Sequence, residues 1–363
     1  MPAKKQSKNN LNTYIVQQLL TWFKKNKRNL PWRNTKNSYK IWISEIMLQQ
    51  TQVKQAIPYY KRFLKKFPTI RDVAAAHLDD ILKVWEGLGY YRRARYIHES
   101  SKIIVDKFNG KIPKDYATLK TLPGFGPYTC GAVLSIAFEL PYPAVDGNVI
   151  RVISRLFRIE SDINVTETKN KITSIVKELI PTNSVSQFTQ GLMEMGAIIC
   201  KPIRPNCNIC CWKTICHAYN ELPNPETLPK KRKKIRGKHF HIAAGIVQKR
   251  NNVLLSKRPE KLILGNLWEF PGGKTEKKET LRGTCKRELY NKTGIDVKIG
   301  KKLMTIKHKY SHYDVTIHFF KCSYLKGVLK KPNVKWVHID DLRNYAFSKV
   351  HKQVMLKITG ADS

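Results

Sequence analysis

The stretch LPGFGPYT, residues 122–129, guides the interpretation of this chain. Its two glycines, Gly124 and Gly126, form a G-x-G turn between two segments with helical periodicity. Such a turn exposes backbone N–H groups at the start of the following helix, and these groups bind phosphate readily. Many helix pairs are joined by glycine-rich turns, so the stretch alone is a weak indication. It predicts a pair of helices that can contact a phosphate backbone.

A second turn follows and carries an acidic side chain. In the sequence VDGNV, residues 145–149, Asp146 stands twenty positions after Gly126. A carboxylate on this turn can face a bound nucleic acid. It can also cap the helix that we predict over residues 149–157. The two interpretations are compatible, and the sequence leaves both open.

Four cysteines lie close together further along the chain. Cys200, Cys207, Cys210 and Cys216 are separated by six, two and five residues. Four thiolates with this spacing can hold one compact cofactor, and four-cysteine ligation is typical of iron–sulfur clusters. A structural zinc site usually uses two separated C-x₂₋₄-C pairs, whereas this stretch contains one. The spacing favours a 4Fe-4S cluster over zinc, and we expect the neighbouring Cys211 to point away from it.

The composition indicates a chain that folds and binds a polyanion. Its 363 residues are 42% hydrophobic, enough for two domains. The formal net charge is +40, which makes nucleic acid the first candidate partner, although a lineage bias towards lysine would explain part of it. The basic N-terminus lacks the apolar segment of a signal peptide, and no apolar run reaches the roughly 18 residues of a membrane span. We therefore expect a cytoplasmic, nucleoid-associated protein that does not contact membranes.

Sequence patterning divides the chain into two domains. Residues 1–218 show helical periodicity punctuated by proline and glycine, which predicts a mainly α domain whose cysteine loop covers residues 200–216. Residues 219–238 are rich in proline and then in basic residues, as expected of an extended linker. Residues 239–363 predict an α+β domain with two hairpins and a helix: strands 239–247 and 253–256, helix 280–292, and strands 302–309 and 313–321.

The hairpin, the following aspartate and the four-cysteine loop, in this order, resemble the endonuclease III superfamily of helix–hairpin–helix DNA glycosylases. The resemblance covers about residues 10–218. Three longer motifs resemble the MutY branch: LPWR at 30–33, WISEIMLQQTQV at 42–53 and GLGYYRRAR at 87–95. The resemblance implies an adenine DNA glycosylase of base excision repair, with a 4Fe-4S cluster. Such an enzyme acts, as a monomer, on double-stranded DNA with adenine mispaired with 8-oxoguanine or guanine, and flips the target base out of the stack.

The chemistry of this reaction requires two carboxyl groups. Adenine leaves more readily once a ring nitrogen is protonated, and the sugar then becomes oxocarbenium-like, so an acid and a nearby negative charge are needed. Glu45 lies in the apolar run 41–48, where burial would raise its pKa and keep it protonated. From the sequence alone, Glu45 can also be a residue on a helix surface. The resemblance implies that Glu45 is the acid and Asp146 the stabiliser or transient nucleophile.

Tyr128 distinguishes two types of glycosylase. Superfamily members with lyase activity carry a lysine at this position, and its amine forms a Schiff base with the sugar. A tyrosine cannot form that bond. The resemblance therefore predicts a monofunctional glycosylase that uses water and lacks strong lyase activity.

The resemblance also implies residues that contact DNA. It places Gln49 and Gln50 on the loop that fills the gap left by the flipped base, and Tyr90 as a wedge beside the lesion. Three more residues match positions at the adenine pocket: Trp32, Arg33 and Glu194. Two of the implied contact residues also have a purely structural interpretation. Tyr90 can be an aromatic ring of the core, and Glu194 can be the ion-pair partner of a nearby lysine or arginine.

The second domain resembles the Nudix, or MutT-like, family. Its box, G-x₅-E-x₇-R-E-U-x-E-E-x-G-U with U aliphatic, is matched from Gly273 onward, except that Asn291 and Lys292 replace the two consecutive glutamates. Those carboxylates hold Mg²⁺ for phosphate hydrolysis, so we expect the fold without the hydrolase activity. MutY enzymes use this domain to recognise 8-oxoguanine, and the loop of Tyr310, Ser311 and His312 matches theirs. The alternative for this loop is an ordinary polar turn.

Three other functions remain open from the sequence. A bifunctional pyrimidine glycosylase–lyase is opposed by Tyr128 and by the second domain. A nucleotide pyrophosphatase with a DNA-binding appendage is opposed by Asn291 and Lys292. A non-catalytic DNA-binding or redox-signalling protein is opposed by the pair of Glu45 and Asp146.

Overall fold

The computed structural model describes residues 2–232, 237–310, 313–329 and 331–360, without the side chains of residues 2–9. The chain divides into two compact units. The first comprises Met1–Ala75 and Tyr96–Lys233, and the second comprises Ala76–Arg95 and Lys234–Ser363. No sequence pattern indicated that the segment Ala76–Arg95 belongs with the second unit.

The predicted helical character of the N-terminal part is confirmed. The helices before residue 222 are α1 (Pro2–Asn26), α2 (Ser38–Leu48), α3 (Val53–Lys66), α4 (Ile70–Ala75), α5 (Leu78–Trp85), α6 (Arg92–Phe108), α7 (Tyr116–Thr121), α8 (Pro127–Phe138), α9 (Gly147–Leu156), α10 (Thr166–Leu179), α11 (Val185–Glu194) and α12 (His217–Glu221). A π-helical turn, Met195–Ile199, continues directly from α11. In the described part of the chain, no helix is both long and apolar enough to cross a bilayer.

The core of the first unit is assembled from helices that are distant in sequence. Leu19 of α1, Ile153 of α9 and Phe188 of α11 are buried in one apolar cluster. Helix α2 begins at a cap, since the Asn37 side chain accepts a hydrogen bond from the Lys40 amide at 3.0 Å. Nearly all of α2 is buried, and it packs against α8. This packing places the side chains of α2 and α8 beside each other.

The second unit contains one mixed sheet. Within its described residues the strands are β1 (His239–Lys249), β2 (Asn252–Lys257), β3 (Trp268–Glu269), β4 (Gly272–Lys274), β5 (Ile295–Lys309), β6 (Asp314–Gly327) and β7 (Val334–His338). The main order is β3-β2-β1-β6-β5, with β4 paired to β1 and β7 to β2. Strand β1 runs parallel to β6, while β1–β2 and β5–β6 are the two predicted antiparallel hairpins.

Two helices cover this sheet. Helix α13 (Leu281–Thr293) has Thr280 as its N-cap, in agreement with the predicted helix, and packs against one apolar cluster through Cys285 and Leu289. Helix α14 (Lys349–Ile358) contributes Val350 and Val354 to another apolar cluster. The expected α+β character of this part is confirmed.

Candidate active site

Glu45 is a buried carboxyl group on α2. Glu45 is 5% exposed, and its Oε2 accepts a hydrogen bond from the Tyr128 hydroxyl at 2.5 Å. The pKa of Glu45 is raised to about 7, mainly by burial and in part by the charge of Asp146. The Tyr128 hydrogen bond and the positive charge of Arg33 act in the opposite direction. A carboxyl group with this pKa is half protonated near neutral pH and can donate a proton.

Asp146 caps α9, as one of the two interpretations of the sequence predicted. Its Oδ1 accepts from the Val149 amide at 2.7 Å, and its Oδ2 accepts from Asn148 Nδ2 at 2.9 Å. Burial raises the pKa of Asp146, and these hydrogen bonds oppose the increase. Asp146 is close enough to raise the pKa of Glu45, so both carboxyl groups belong to one site.

A close backbone approach holds the Asp146 turn against α8. A Cβ atom added at Gly131 of α8 would lie 2.0 Å from the carbonyl oxygen of Pro143. No side chain larger than hydrogen fits there, because real Cβ atoms do not approach backbone so closely. Gly131 thus allows residues 143–146 to lie on the helix that carries Tyr128.

Glu194 is ion-paired with two arginines. It is 1% exposed, and its carboxylate oxygens receive hydrogen bonds from Arg28 at 2.7 and 2.8 Å and from Arg33 at 2.6 and 3.0 Å. Burial alone would raise the pKa of Glu194, but these hydrogen bonds outweigh it and lower the pKa to about 2. Glu194 is therefore a permanent anion that orients Arg33. Sequence reasoning missed Arg28, because its partner lies 166 positions away.

The other site residues of the first unit lie in different environments. Gln49 donates from Nε2 to the Thr129 hydroxyl at 3.1 Å, next to Tyr128, while Gln50 is exposed with a φ of 57°. Trp32 is buried, and its ring meets Tyr60 edge-on at 5.3 Å. In the predicted hairpin, Gly124 has a φ of 81° and Gly126 is the N-cap of α8.

The four predicted cysteine ligands share one neighbourhood. The pKa of Cys216 is raised to about 11, mainly by burial and in part by the charges of Cys200, Cys210 and Cys207. All the described cysteines are free thiols. The described residues contain no group of three or more His, Cys, Asp or Glu side chains arranged to hold a single metal ion. The thiols are thus mutually close without forming a single-ion site.

A buried arginine, Arg155, supports this loop. Arg155 is 2% exposed and donates to Cys200 Sγ at 3.5 Å and to the Lys201 carbonyl at 2.7 Å. Cys211 follows Cys210 in the chain, and its thiol lowers the pKa of Cys210; the expectation that Cys211 points away from the cluster stays a prediction. Cys210 and Cys211 lie between two short 3₁₀ helices, Cys207–Ile209 and Lys213–Ile215.

The remaining acidic groups of the Nudix-like box are paired with cations of the protein. Arg287 donates to Glu279 at 2.8 and 2.9 Å and also contacts Glu288. Lys292 lies 2.9 Å from the buried Glu269, which Arg258 also contacts at 2.5 Å. The expected pair of metal-binding carboxylates is replaced by an exposed amide, Asn291, and by this ammonium group.

Two of the three residues in the loop expected to recognise 8-oxoguanine lie outside the described part of the chain. Tyr310 packs on Tyr313 at 5.2 Å and on His308 at 4.6 Å, at the end of the β5–β6 hairpin. Ser311 and His312 are not among the described residues. Tyr90 belongs to the second unit and is 49% exposed.

Comparison with known families covers both parts of the chain. The family described as "HhH-GPD superfamily base excision DNA repair protein" matches residues 43–180, and the family described as "NUDIX domain" matches residues 242–357. The chain is 38% identical to an adenine DNA glycosylase of Buchnera aphidicola subsp. Schizaphis graminum (strain Sg), over 86% of this chain and 90% of that protein. It is 30% identical to the adenine DNA glycosylase of Rattus norvegicus, over 94% of this chain and 77% of that protein. The structure is similar to a solved thermostable thymine-DNA glycosylase, with a TM-score of 0.54 and 30% sequence identity. The match covers 59% of this chain and 98% of the glycosylase chain.

Proposed function

The chain belongs to the adenine DNA glycosylase family, and from this premise we propose that it excises adenine paired with 8-oxoguanine or with guanine in double-stranded DNA. It is a DNA glycosylase of base excision repair. The observation that carries the proposal is the buried Glu45, whose pKa of about 7 keeps a proton available beside the carboxyl group of Asp146. These two groups match the acid and the negative charge that base release requires.

The reaction begins with protonation of the base. Glu45 gives its proton to a ring nitrogen of the flipped adenine, and the bond between the base and the sugar carbon C1′ then breaks, with the electron pair leaving on adenine. Asp146 faces the positive charge that develops on the sugar. A water molecule adds its oxygen to C1′ and loses one proton to solvent, while the Glu45 carboxylate takes up one proton from solvent and becomes an acid again. Both carboxyl groups then return to their starting forms.

Tyr128 restricts the enzyme to this hydrolytic route. Its hydroxyl group is used as a hydrogen-bond donor to Glu45, 2.5 Å away. A phenol cannot form the Schiff base with C1′ that strand cleavage by a lyase needs. The product is an abasic site in an intact strand.

The four cysteines suit a 4Fe-4S cluster. All four are free thiols, their charges act on one another, and three of them, Cys200, Cys210 and Cys216, pack against the apolar core. The hydrogen bond from Arg155 to Cys200 suits a thiolate bound to iron. A cluster bound there would cross-link a loop whose described regular structure is two short 3₁₀ helices. The loop carries Lys201, Arg204 and Lys213, which can contact DNA phosphate.

The second unit serves lesion recognition. Its Nudix-like fold is retained, but Arg287 is paired with Glu279 of the box, and Lys292 and Arg258 are paired with the preceding Glu269, so these described carboxylates are not available to bind Mg²⁺. Tyr310, the first residue of the predicted recognition loop 310–312, directly follows β5. We assign the preference for 8-oxoguanine to this loop together with Tyr90.

One duplex assay tests the proposal. Duplexes with adenine opposite 8-oxoguanine, guanine or thymine are incubated with enzyme, and each sample is divided between heat–alkali treatment and mild treatment. We expect base release from the first two duplexes, detected only after heat–alkali. Glu45→Gln should slow release on the order of 100-fold or more, because an amide cannot donate the proton, while duplex binding persists. The matched control is Glu160→Gln, an exposed carboxylate of the first unit. A rate close to wild type for Glu45→Gln would remove Glu45 from the mechanism.

A further inference from the structure

The turn that carries Tyr90 has an unfavourable backbone conformation. It follows α5 and runs from Glu86 to Tyr91. Gly87 and Gly89 have φ angles of 95° and 80°, and Tyr90 itself has a φ of 48°. A side chain as large as tyrosine rarely adopts this left-handed conformation, because it is sterically unfavourable. Other contacts must therefore hold the turn in place.

Part of the support comes from Arg93 on the following helix. Its guanidinium group donates to the Gly89 carbonyl at 3.0 Å and lies 5.4 Å from the Trp85 ring and 5.5 Å from the Tyr90 ring. Trp85 also donates to the Gly89 carbonyl, at 3.1 Å. These cation–π and hydrogen-bond contacts orient the tyrosine ring relative to its own turn. They do not connect the turn to the sheet of the second unit.

Glu86 makes that connection. Glu86 is 7% exposed, and its Oε1 accepts a hydrogen bond from the Phe347 amide at 2.9 Å. Its Oε2 accepts from Lys352 at 2.7 Å and from Lys83 at 3.3 Å. Both oxygens of this buried carboxylate are thus hydrogen-bonded, and two ammonium groups balance its charge, as a stable buried anion requires.

The other side of the turn contacts the same backbone position. The Tyr91 hydroxyl donates to the Phe347 carbonyl at 3.3 Å and accepts from the Gly87 amide at 3.0 Å. Phe347 is fully buried and stacks on Phe270 at 5.9 Å. The two residues that flank the Gly-Leu-Gly-Tyr turn therefore both bind one rigid backbone position in the core of the second unit.

The segment around this turn is also attached at its two ends. Asp79 lies 2.6 Å from Lys257 on β2, and Arg95 donates to the Glu260 carbonyl at 2.7 Å. These contacts involve exposed or partly exposed groups and contribute little each. Among the described contacts, those of Glu86 join the turn to Phe347 and Lys352 through a buried charge.

We infer that Glu86 is a positioning residue that fixes the Tyr90 turn to residues 345–352 and thereby sets the preference of the enzyme for adenine opposite 8-oxoguanine over adenine opposite guanine. The inference rests on the proposed function, in which Tyr90 is a wedge beside the lesion. Glu86 lies just before the motif GLGYYRRAR and was not singled out by the sequence. A wedge acts at a defined position, and a displacement of about 1 Å is enough to change reaction rates strongly.

The test measures single-turnover base release from both duplexes by the full-length protein. Glu86→Ala should lower the ratio of the two rates by about tenfold, because the turn loses its buried anchor. Lys352→Met should lower it by about threefold, since Lys83 and the Phe347 amide still hold the carboxylate. In a Tyr90→Ala background, Glu86→Ala should lower the ratio no further, because residues that act as a unit are not additive. Glu160→Gln is the control and should leave both rates unchanged.

The outcomes separate this inference from the proposed function. A wild-type protein that releases adenine from neither duplex would overturn the proposed function and this inference with it. The inference alone would be overturned if the wild type prefers adenine opposite 8-oxoguanine but Glu86→Ala and Lys352→Met slow base release from both duplexes equally. A merely structural role of Glu86 would leave the ratio of the two rates unchanged. If Glu86→Ala proves unfolded by circular dichroism, Lys352→Met decides, since Lys352 is partly exposed and its removal leaves the other contacts of Glu86.

Discussion

Replacement of Tyr128 by phenylalanine should change the pH dependence of base release in a defined direction. The Tyr128 hydroxyl donates to Glu45 at 2.5 Å, and this bond stabilises the charged carboxylate. It therefore lowers the pKa of Glu45 and partly offsets the increase caused by burial. Tyr128→Phe keeps the ring and removes only this donor. The pKa of Glu45 should then rise above its value of about 7.

The size of the change follows from the strength of such bonds. A hydrogen bond to a charged group contributes about 1.5–3 kcal/mol, and one pKa unit corresponds to about 1.4 kcal/mol. Protonated Glu45 can still bond with Tyr128, so part of that energy is retained in the neutral form. We therefore expect the pKa to increase by about one unit.

Single-turnover rates on the duplex with adenine opposite 8-oxoguanine, from about pH 5 to about pH 9, measure this increase. The acid form of Glu45 is the active one, so activity is present below its pKa and is lost above it. The wild-type rate should fall above about pH 7 and the Tyr128→Phe rate only above about pH 8. Tyr14→Phe, a change at an exposed tyrosine of α1, is the control. An alkaline limb that stays in place or moves to lower pH in Tyr128→Phe would refute the reasoning.

Three further predictions concern the lyase reaction, the cofactor and the second unit. Borohydride should trap no covalent complex between wild-type enzyme and DNA, because Tyr128 provides no amine; adducts at the level of a true lyase would contradict this. Protein purified without oxygen should be brown with about four irons per chain, and Cys216→Ser should lose iron; stoichiometric zinc without iron would exclude the cluster. The full-length protein should release no pyrophosphate from nucleoside triphosphates with Mg²⁺, since Lys292 and Arg258 occupy Glu269; magnesium-dependent release would restore the hydrolase hypothesis.

Local sequence patterns were sufficient for the parts of the site that depend on neighbouring residues. An apolar run around Glu45 predicts burial, and burial is the main cause of its raised pKa. The DGN turn predicts the cap formed by Asp146, because an aspartate before a helix accepts from the first free amides. The two predicted hairpins of the second unit followed from alternating strands and short turns.

Contacts between residues that are distant in the chain could not be predicted from the sequence. The pairing of Glu194 with Arg28 spans 166 positions, and a glutamate in a helix gives no sign of its partner. The attachment of Glu86 to Phe347 spans 261 positions and joins a helical segment to the α+β unit. Neither contact has a periodicity or a motif, since each depends on how whole elements pack. A single sequence contains no signal for such pairs.

The two buried glutamates of the first unit show how the fold assigns opposite roles to the same side chain. Burial raises the pKa of both, but two arginines surround Glu194 and lower its pKa to about 2, whereas Glu45 has a neutral phenol as its hydrogen-bond donor and a pKa of about 7. Arg33 connects the two, because it is bound to Glu194 and its charge also reaches Glu45. If Arg33 were free to pair with Glu45, it would stabilise the carboxylate and remove the proton that catalysis needs. By binding Arg33, the charged Glu194 partly neutralises a positive charge that lowers the pKa of Glu45.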